Sequence, residues 1–330
     1  MLCGMFDATI IKDLTELMAK NITFKDMEAI GGYLFKDRAY NLHTAAGIAE
    51  KVSISPLNAA KILIEQAEAK GRLKELFVFV IELDGSMMNG RMVALPGIEN
   101  MLYRLTRSGQ YYDFAHRKFI DVDDHRTLVS WGALRDGREY PVAIASIDIC
   151  QNSELVKKYK SNVMEKVYYQ LWEFLRAKLD AWEGRIWSWA GDGGILAFRG
   201  EENVFRAVSC CLDILSGLSV FNMQPSKPIK DEIFLRIALD FGPLKFFTDT
   251  GKIVSEVINY AAHLEKKGTK PKNLSISDAV HNRLTPAMQK IFAEEMNFEG
   301  RTARSTALTL SEARGQRTGA AGKNRAAVSR

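Results

Sequence analysis

The sequence has few cysteines and lacks several familiar catalytic motifs, and these absences exclude several classes of protein. Its four cysteines, Cys3, Cys150, Cys210 and Cys211, are spaced for neither a zinc site nor a disulfide framework. They predict reduced thiols in a cytoplasmic protein. A Walker loop, a nucleophile elbow and a dinucleotide fingerprint are also missing.

Long apolar runs and an excess of one charge are missing from the body of the chain. The longest apolar run, near Leu76–Leu83, is broken by Glu82 and falls short of the roughly 20 residues that span a bilayer. No basic region followed by an apolar stretch begins the sequence, which predicts no signal peptide and no membrane partner. The net charge of +5 equals the charge of residues 313–330, which we expect to be a disordered basic tail. The neutral body argues against nucleic-acid binding.

Residues 1–96 show the element order of a winged helix. Helical patterns at Thr44–Val52 and Ser55–Lys70 precede a predicted strand at Arg72–Leu83 and a second at Arg91–Leu95. The charges on the second helix have mixed sign, which is poor for contacts to phosphate. We therefore predict a winged-helix-like regulatory or dimerising module, in preference to a DNA-binding one.

Residues 139–312 alternate strands and helices after a predicted linker region at residues 97–138. The predicted elements are strand Tyr140–Ile149, helix Ser153–Trp182, hairpin Arg185–Ala190 and Ile195–Arg199, helix Glu202–Leu218, strand Ile233–Phe241, helix Glu256–Lys266, strand Asn273–Ser277, helix Asp278–Leu284 and strand Ala307–Leu310. This order predicts an α+β fold, with an antiparallel sheet covered by helices on one face.

Two aspartates and one helix face are the candidates for chemistry. Asp148 ends an apolar strand, Asp192 lies in a glycine-rich turn, and Asn259 and His263 are four residues apart on one helix face. An unpaired carboxylate at the end of a buried strand costs several kcal/mol. Two such groups that converge would suit hard cations.

The residues after Asp148 add a possible phosphate site. The backbone N–H groups of Gln151, Asn152 and Ser153 begin a helix and would face phosphate oxygens. The alternative is structural: Asp148 caps this helix, and Asp192 occupies its turn as aspartates often do. The pattern alone leaves both open.

Four segments decide between these alternatives by their order along the chain. They are Ser146-Ile147-Asp148-Ile149, Ala190-Gly191-Asp192-Gly193-Gly194-Ile195-Leu196-Ala197-Phe198, Arg236-Ile237-Ala238-Leu239-Asp240-Phe241-Gly242-Pro243 and Ile258-Asn259-Tyr260-Ala261-Ala262-His263-Leu264. Together they resemble the catalytic domain of the class III nucleotide cyclases, the adenylate and guanylate cyclase family. The resemblance covers residues 140–311.

The resemblance implies a two-metal enzyme that acts on a nucleoside triphosphate. Asp148, Asp192 and the Ile149 carbonyl would hold two Mg²⁺ or Mn²⁺ ions per active site, and Asn259 would orient the ribose. The products would be a 3′,5′-cyclic nucleotide and pyrophosphate. Family members form homodimers with interfacial sites, so the two aspartates would act with Asn259 of the other chain.

The sequence departs from the family at the phosphate cation. The family has arginine where His263 stands, and histidine is shorter and not permanently charged. Arg301 or Arg304, in the segment where the family has a phosphate-binding lysine, would supply the missing cation. Without such a cation the chain would be a catalytically degenerate nucleotide sensor.

The positions that read the base also depart from the family. Ser188 and Lys252 stand where purine cyclases carry their recognition pair, while Trp187 and Trp189 are expected in the core. In this the chain is similar to bacterial pyrimidine cyclases of Pycsar antiphage defence, whose product activates a separate effector. The resemblance implies UTP, ahead of CTP, as substrate. An adenylate cyclase with atypical base recognition and a winged-helix regulator are the alternatives.

Overall fold

The computed structural model describes residues 6–200 and 202–306, so Cys3, the predicted strand Ala307–Leu310 and the predicted tail at residues 313–330 lie outside it. The chain divides into an N-terminal unit, Met1–Arg135, and a C-terminal unit, Asp136–Arg330.

Helices dominate the N-terminal unit. Its elements are α1 (Ala8–Asn21), α2 (Phe24–Phe35), α3 (Leu42–Ala46), α4 (Pro56–Ala69), α5 (Leu73–Leu83), β1 (Met87–Met88), β2 (Arg91–Met92), α6 (Ile98–Arg107), β3 (Gln110–Asp113), β4 (Lys118–Asp121) and a short 3₁₀ turn at His125–Thr127. Helix α4 packs against α1, α2 and α3. Its first turn carries proline, and the Ser55 hydroxyl accepts a hydrogen bond from the Asn58 N–H at 3.2 Å.

Two local predictions for this unit are wrong. The segment predicted as the strand Arg72–Leu83 is α5, whose buried Leu76, Phe77, Val80 and Ile81 recur at helical spacing. A short continuous apolar run does not by itself distinguish a buried strand from a buried helix. The helix predicted at Thr44–Val52 is α3, which ends at Gly47 in the left-handed conformation (φ +65°). The winged-helix order is therefore not confirmed.

Residues 97–138, predicted as a linker, contain folded elements. Helix α6 buries Ile98, Met101, Leu102 and Leu105 in the same apolar core as α1 and α4. The β3–β4 hairpin adds Tyr112 and Phe119 to that core. Most of this segment is thus part of the N-terminal unit rather than a connection.

The C-terminal unit is built on a seven-stranded sheet. Its elements are β5 (Glu139–Ile149), α7 (Asn152–Lys158), α8 (Ser161–Ala181), β6 (Arg185–Ala190), β7 (Gly193–Arg199), α9 (Asn203–Asn222), β8 (Leu235–Lys245), a 3₁₀ turn (Thr250–Lys252), α10 (Glu256–His263), a π-helical turn (Leu264–Gly268), β9 (Leu274–Ser277), α11 (Asp278–His281), α12 (Pro286–Gln289), β10 (Glu294–Phe298) and β11 (Arg301–Ser305). The strand order is β10-β11-β9-β8-β5-β7-β6, and only β8 and β9 pair in parallel. The α+β prediction with a mostly antiparallel sheet is confirmed.

Helices contact both faces of this sheet, whereas the sequence predicts helices on one face only. One face of β5, with Ala145 and Ile147, joins the main core with α8 and α9. Helix α10 packs on β5 and β8, where Tyr260 and Leu264 form a second small cluster with Ala238. Strand β5 is therefore buried on both faces, which explains its continuous apolar sequence.

One predicted helix is two helices in the structure. The helix predicted at Ser153–Trp182 is broken between α7 and α8, where Tyr159 is extended and packs against the main core.

Helix α9 has a mean hydropathy of 1.7 over 18 residues and could cross a membrane by length and composition alone. This revises the prediction that no such run exists. Because α9 packs against β5, β7 and β8, with Cys210 and Cys211 in the core, its apolar surface serves the fold.

Candidate functional site

Asp148 and Asp192 come together through the antiparallel pairing of β5 and β7. Asp148 lies opposite Gly193, and the Ile149 N–H donates a hydrogen bond to the Asp192 carbonyl oxygen at 3.1 Å. The sheet therefore joins two carboxylates that are distant in the sequence.

Glycines in the β6–β7 turn allow this approach. A Cβ atom on Gly193 would lie 2.5 Å from the Ile147 carbonyl oxygen and 3.1 Å from Asp148 Oδ1. One on Gly194 would lie 2.4 Å from the ring of Trp189. Any larger residue would push the turn away from β5, so the glycines are needed for the position of Asp192.

The charge of Asp148 is only partly compensated. Burial, and next the nearby Asp192, raise the pKa of Asp148, while Arg236 opposes that shift. The Arg236 guanidinium lies 2.8 Å from Asp148 Oδ2 and also contacts Glu265, whose side chain is buried in the π-helical turn. Two acidic side chains, Asp148 and Glu265, thus share one arginine, and the nearby Asp192 leaves an excess of negative charge.

This donor set fits a hard divalent cation. Within residues 6–200 and 202–306, no group of three or more histidine, cysteine, aspartate or glutamate side chains forms a ready metal cluster. The close pair Asp148 and Asp192, with the carbonyl of Ile149 between them in sequence, would instead supply oxygen ligands. Mg²⁺ is commonly bound by one or two carboxylates together with substrate phosphates.

Asn259 and His263 line a separate cavity of about 420 Å³. Its other lining residues are Val254, Ser255, Glu256, Tyr260, Glu299 and Arg301, and neither Asp148 nor Asp192 is among them. Three predicted residues, Asn259, His263 and Arg301, are therefore brought to one cavity on the face of the sheet that carries α10.

Two basic side chains of this cavity, His263 and Arg301, are each held by an acidic partner. His263 Nδ1 lies 3.0 Å from Glu299 Oε1. Arg301 contacts Glu256 and lies 4.8 Å from the centroid of the Tyr260 ring. Since Glu256 is 77% exposed, its ion pair with Arg301 is a weak surface one that a phosphate could displace.

Arg304 is not part of this cavity. It binds Asp278 at 2.6 Å and Glu295 at 2.9 Å, and its side chain is 19% exposed. Strand residues three apart point to opposite faces, which separates Arg304 from Arg301. Its two acidic partners hold its side chain away from the cavity, and its part in phosphate binding stays a prediction.

Ser188 and Lys252 lie on elements that contact each other. Ser188 is exposed on β6, and Lys252 ends the 3₁₀ turn with its Nζ 3.0 Å from Asp249 Oδ2. The elements are joined by the Thr250 hydroxyl, which donates to the Trp187 carbonyl oxygen at 2.5 Å.

A bulge in β6 separates the two tryptophans that flank Ser188. The register of β6 against β7 shifts between Ile186 and Ser188. As a result Trp187 is buried against Phe246, while Trp189 packs on the main core. Both tryptophans are packed within the fold, as expected, although they do not share one face.

Gln151, Asn152 and Ser153 follow β5 after Cys150 and begin α7, as predicted. Gln151 has a left-handed backbone (φ 57°) that turns the chain into α7. The first N–H groups of α7 have no intrahelical acceptor. The Asn152 side chain is engaged, since its Oδ1 accepts a hydrogen bond from the Tyr168 hydroxyl at 2.8 Å.

Arg236 and Glu265 are the residues that sequence reasoning missed. Arg236 lies directly opposite Asp148 in the β5–β8 register, 88 positions away in sequence. No local pattern signals such a pair, although Arg236 begins one of the segments that resemble the cyclases and Glu265 follows another. Topology alone shows the contact.

No protein-family model matches this chain, and no curated protein matches it in sequence. The chain is similar in structure to nucleotide cyclase domains.

Three solved structures illustrate the likeness. The guanylate cyclase domain of RhGC from Catenaria anguillulae in complex with GTP is 18% identical, with a TM-score of 0.44, and the match covers 52% of this chain and 99% of that one. The guanylyl cyclase Cya2 is 15% identical, with a TM-score of 0.46 and coverage of 53% and 95%. The adenylyl cyclase CyaB from P. aeruginosa is 15% identical, with a TM-score of 0.44 and coverage of 51% and 93%. Values this low leave function to be judged from the residues of the site.

Proposed function

We propose that residues 139–312 are the catalytic domain of a nucleotide cyclase that converts UTP, or secondarily CTP, into a 3′,5′-cyclic nucleotide and pyrophosphate. The observation that carries the proposal is the undercompensated pair Asp148 and Asp192, which Gly193 and Gly194 allow to approach. A fold gains nothing from two adjacent carboxylates unless a cation joins them.

The residues of the site would divide the work between metal, sugar and phosphate. Asp148, Asp192 and the Ile149 carbonyl would hold two Mg²⁺ or Mn²⁺ ions, which when bound make the ribose 3′-hydroxyl more acidic and neutralise the triphosphate. Asn259 would hold the ribose, with Arg301 and His263 next to the α-phosphate. The 3′-oxygen forms a bond to the α-phosphorus as the bond to pyrophosphate breaks, and the hydroxyl proton leaves to solvent.

The proposal includes a homodimer with sites shared between two chains. In support, the cavity around Asn259, His263 and Arg301 has neither aspartate among its lining residues. A two-fold dimer repeats the same contact twice, so it could join the aspartates of one chain to Asn259 of the other at two places.

Base choice rests on Ser188 and Lys252. A lysine can donate to a pyrimidine carbonyl but cannot accept from the amino group of adenine. We also propose, from the resemblance to Pycsar cyclases, that the cyclic nucleotide acts on a separate effector protein in antiphage defence.

The test of activity is incubation of the purified protein with Mn²⁺ and each of ATP, GTP, CTP and UTP, followed by separation of the products. Asp192→Ala is the inactive variant, and Glu173→Ala, which removes an exposed carboxylate from α8, is its matched control. A cyclic product from UTP or CTP alone, lost only in Asp192→Ala, supports the proposal. Cyclic AMP would overturn the pyrimidine assignment, and no product from any triphosphate would favour a degenerate sensor.

The shared site has a test of its own. Asp192→Ala and Asn259→Ala should each be inactive, yet unfolding and refolding them together should restore roughly a quarter of wild-type activity. Half of the random dimers are then mixed, and each mixed dimer has one intact site. If the mixture stays inactive while both variants fold and dimerise, each chain holds a complete site.

A further inference from the structure

A large cavity in the N-terminal unit is lined by cations without acidic partners. It measures about 910 Å³, near the upper end of the size range of small-molecule sites. Lys25, Lys36 and Arg38 line it, and none of the three forms an ion pair in the part of the chain that the structure describes. Such a group of charges favours an anion.

The cavity also contains two acidic residues. Glu28 accepts a hydrogen bond from the Leu42 N–H at 3.1 Å, and Glu75 pairs at 2.9 Å with Arg72, a fourth basic residue of the lining. Basic side chains in the lining, Lys25, Lys36, Arg38 and Arg72, therefore outnumber the acidic ones by four to two.

The hydroxyl of Tyr40, another lining residue, is buried and also lacks a partner. Among residues 6–200 and 202–306, nothing forms a hydrogen bond with the Tyr40 hydroxyl, although that oxygen is shielded from solvent. Its ring is fixed against Gly31, where a Cβ atom would lie 2.1 Å from the ring, and against Phe35 at 5.1 Å between centroids. Burial, and next the charge of Glu28, raise the pKa of Tyr40 to about 12, so the hydroxyl remains a donor. A buried polar group without a partner calls for an acceptor.

We propose that this cavity binds a phosphorylated small molecule. Phosphate oxygens would accept hydrogen bonds from Lys25, Lys36, Arg38 and the Tyr40 hydroxyl, since guanidinium and ammonium groups are the usual phosphate ligands. Tyr33 and Leu34, which also line the cavity, would contact the rest of the ligand. The N-terminal unit would then carry a ligand site of its own, in addition to the site on the sheet.

Pyridoxal 5′-phosphate is a suitable probe because its aldehyde forms an imine with a lysine amine, which borohydride fixes for peptide mapping. On the full chain, Lys25 or Lys36 should be labelled roughly tenfold more than Lys51 and Lys61, two exposed lysines of the same unit outside the cavity. Pyridoxal without phosphate should show no such preference, and excess pyrophosphate should protect. Equal labelling of all four lysines, or the same preference with pyridoxal, would overturn the proposal.

Two variants sharpen this test. Arg38→Ala should raise the pyrophosphate concentration needed for protection roughly tenfold, and Arg38→Lys less, because an ammonium group keeps the charge. Tyr40→Phe keeps the ring and should also weaken protection. If both Arg38→Ala and Tyr40→Phe protect like the wild type, the cations act only as a solvated surface. Because the labelled lysines belong to the N-terminal unit, this result is independent of cyclase activity.

Discussion

Asp26 in the N-terminal unit and Asp148 in the C-terminal unit are both withdrawn from solvent, with side chains 3% and 22% exposed. Burial raises the pKa of either carboxyl, but hydrogen bonds from Arg91, Thr23 and Asn89 outweigh it at Asp26 and lower that pKa to about 2. At Asp148 the pKa stays raised, because Asp192 adds to the effect of burial and together they outweigh Arg236 and the hydrogen bond from the Ile149 N–H.

The comparison separates a structural carboxylate from one prepared for a ligand. Asp26 ties the β1–β2 hairpin to α2 through Asn89 and Arg91, so its charge is satisfied within the protein. The charge of Asp148 is not fully satisfied within the protein, so an added cation would stabilise the charged carboxylate. Two aspartates that are both withdrawn from solvent therefore differ in how their charge is satisfied: Asp26 by protein groups, Asp148 by an added cation.

The largest expected effect is on catalysis. Asp192→Asn should lower the rate of cyclisation at least roughly 100-fold, because the second carboxylate of the metal pair loses its charge. Asp26→Asn should leave the rate per folded molecule unchanged. Turnover of UTP with Mn²⁺ measures both variants, and the comparison fails if Asp26→Asn lowers turnover as much as Asp192→Asn.

A smaller effect is expected at Glu265, which positions Arg236. Glu265→Gln should weaken Mn²⁺ binding about 10- to 100-fold, since residues that hold a metal ligand contribute on that scale. Electron paramagnetic resonance of free Mn²⁺ measures the affinity without turnover. Glu294→Gln, the same change in a surface ion pair with Lys270, is the control. Equal affinities for wild type and Glu265→Gln would remove Glu265 from the site.

Asp26 should affect stability instead. Asp26→Asn should lower the free energy of unfolding of the N-terminal unit by about 2 kcal/mol at pH 7, through loss of charge-assisted hydrogen bonds. Because the folded pKa of Asp26 is about 2 and the usual value is 3.8, its contribution is present above pH 4 and declines as the pH falls towards 2. Urea unfolding at pH 7 and pH 3 measures the change. A difference between wild type and variant that does not shrink at pH 3 contradicts this account.

Several features of the site could be predicted from the sequence alone. Strand β5, the β6–β7 turn and the shared helix face of Asn259 and His263 follow from local patterns, because each depends on residues close in sequence. The continuous apolar run of β5 predicts that this strand is buried on both faces.

Contacts between distant residues are what local patterns do not encode. The hydrogen bond between Arg236 and Asp148 depends on the pairing of β5 with β8. Arg301 and Arg304 point to opposite faces of the sheet because both lie in β11, which begins at Arg301. The segment of α5 is wrongly predicted as a strand for a different reason, since a short apolar run fits either a helix or a strand. Its secondary structure is determined by packing against neighbouring elements.

The smallest expected effect is a gain in stability at Asp148. A raised folded pKa means that the charged carboxylate destabilises the fold at neutral pH without metal, so Asp148→Asn should stabilise the metal-free protein by about 1 kcal/mol. The amide oxygen of asparagine can still accept from Arg236, so that contact need not be lost. Mn²⁺ at 100 times its Kd should stabilise the wild type by about 2.7 kcal/mol and the variant far less. Thermal unfolding with and without Mn²⁺ measures both. If Asp148→Asn instead destabilises the metal-free fold and responds to Mn²⁺ like the wild type, Asp148 is a structural carboxylate like Asp26.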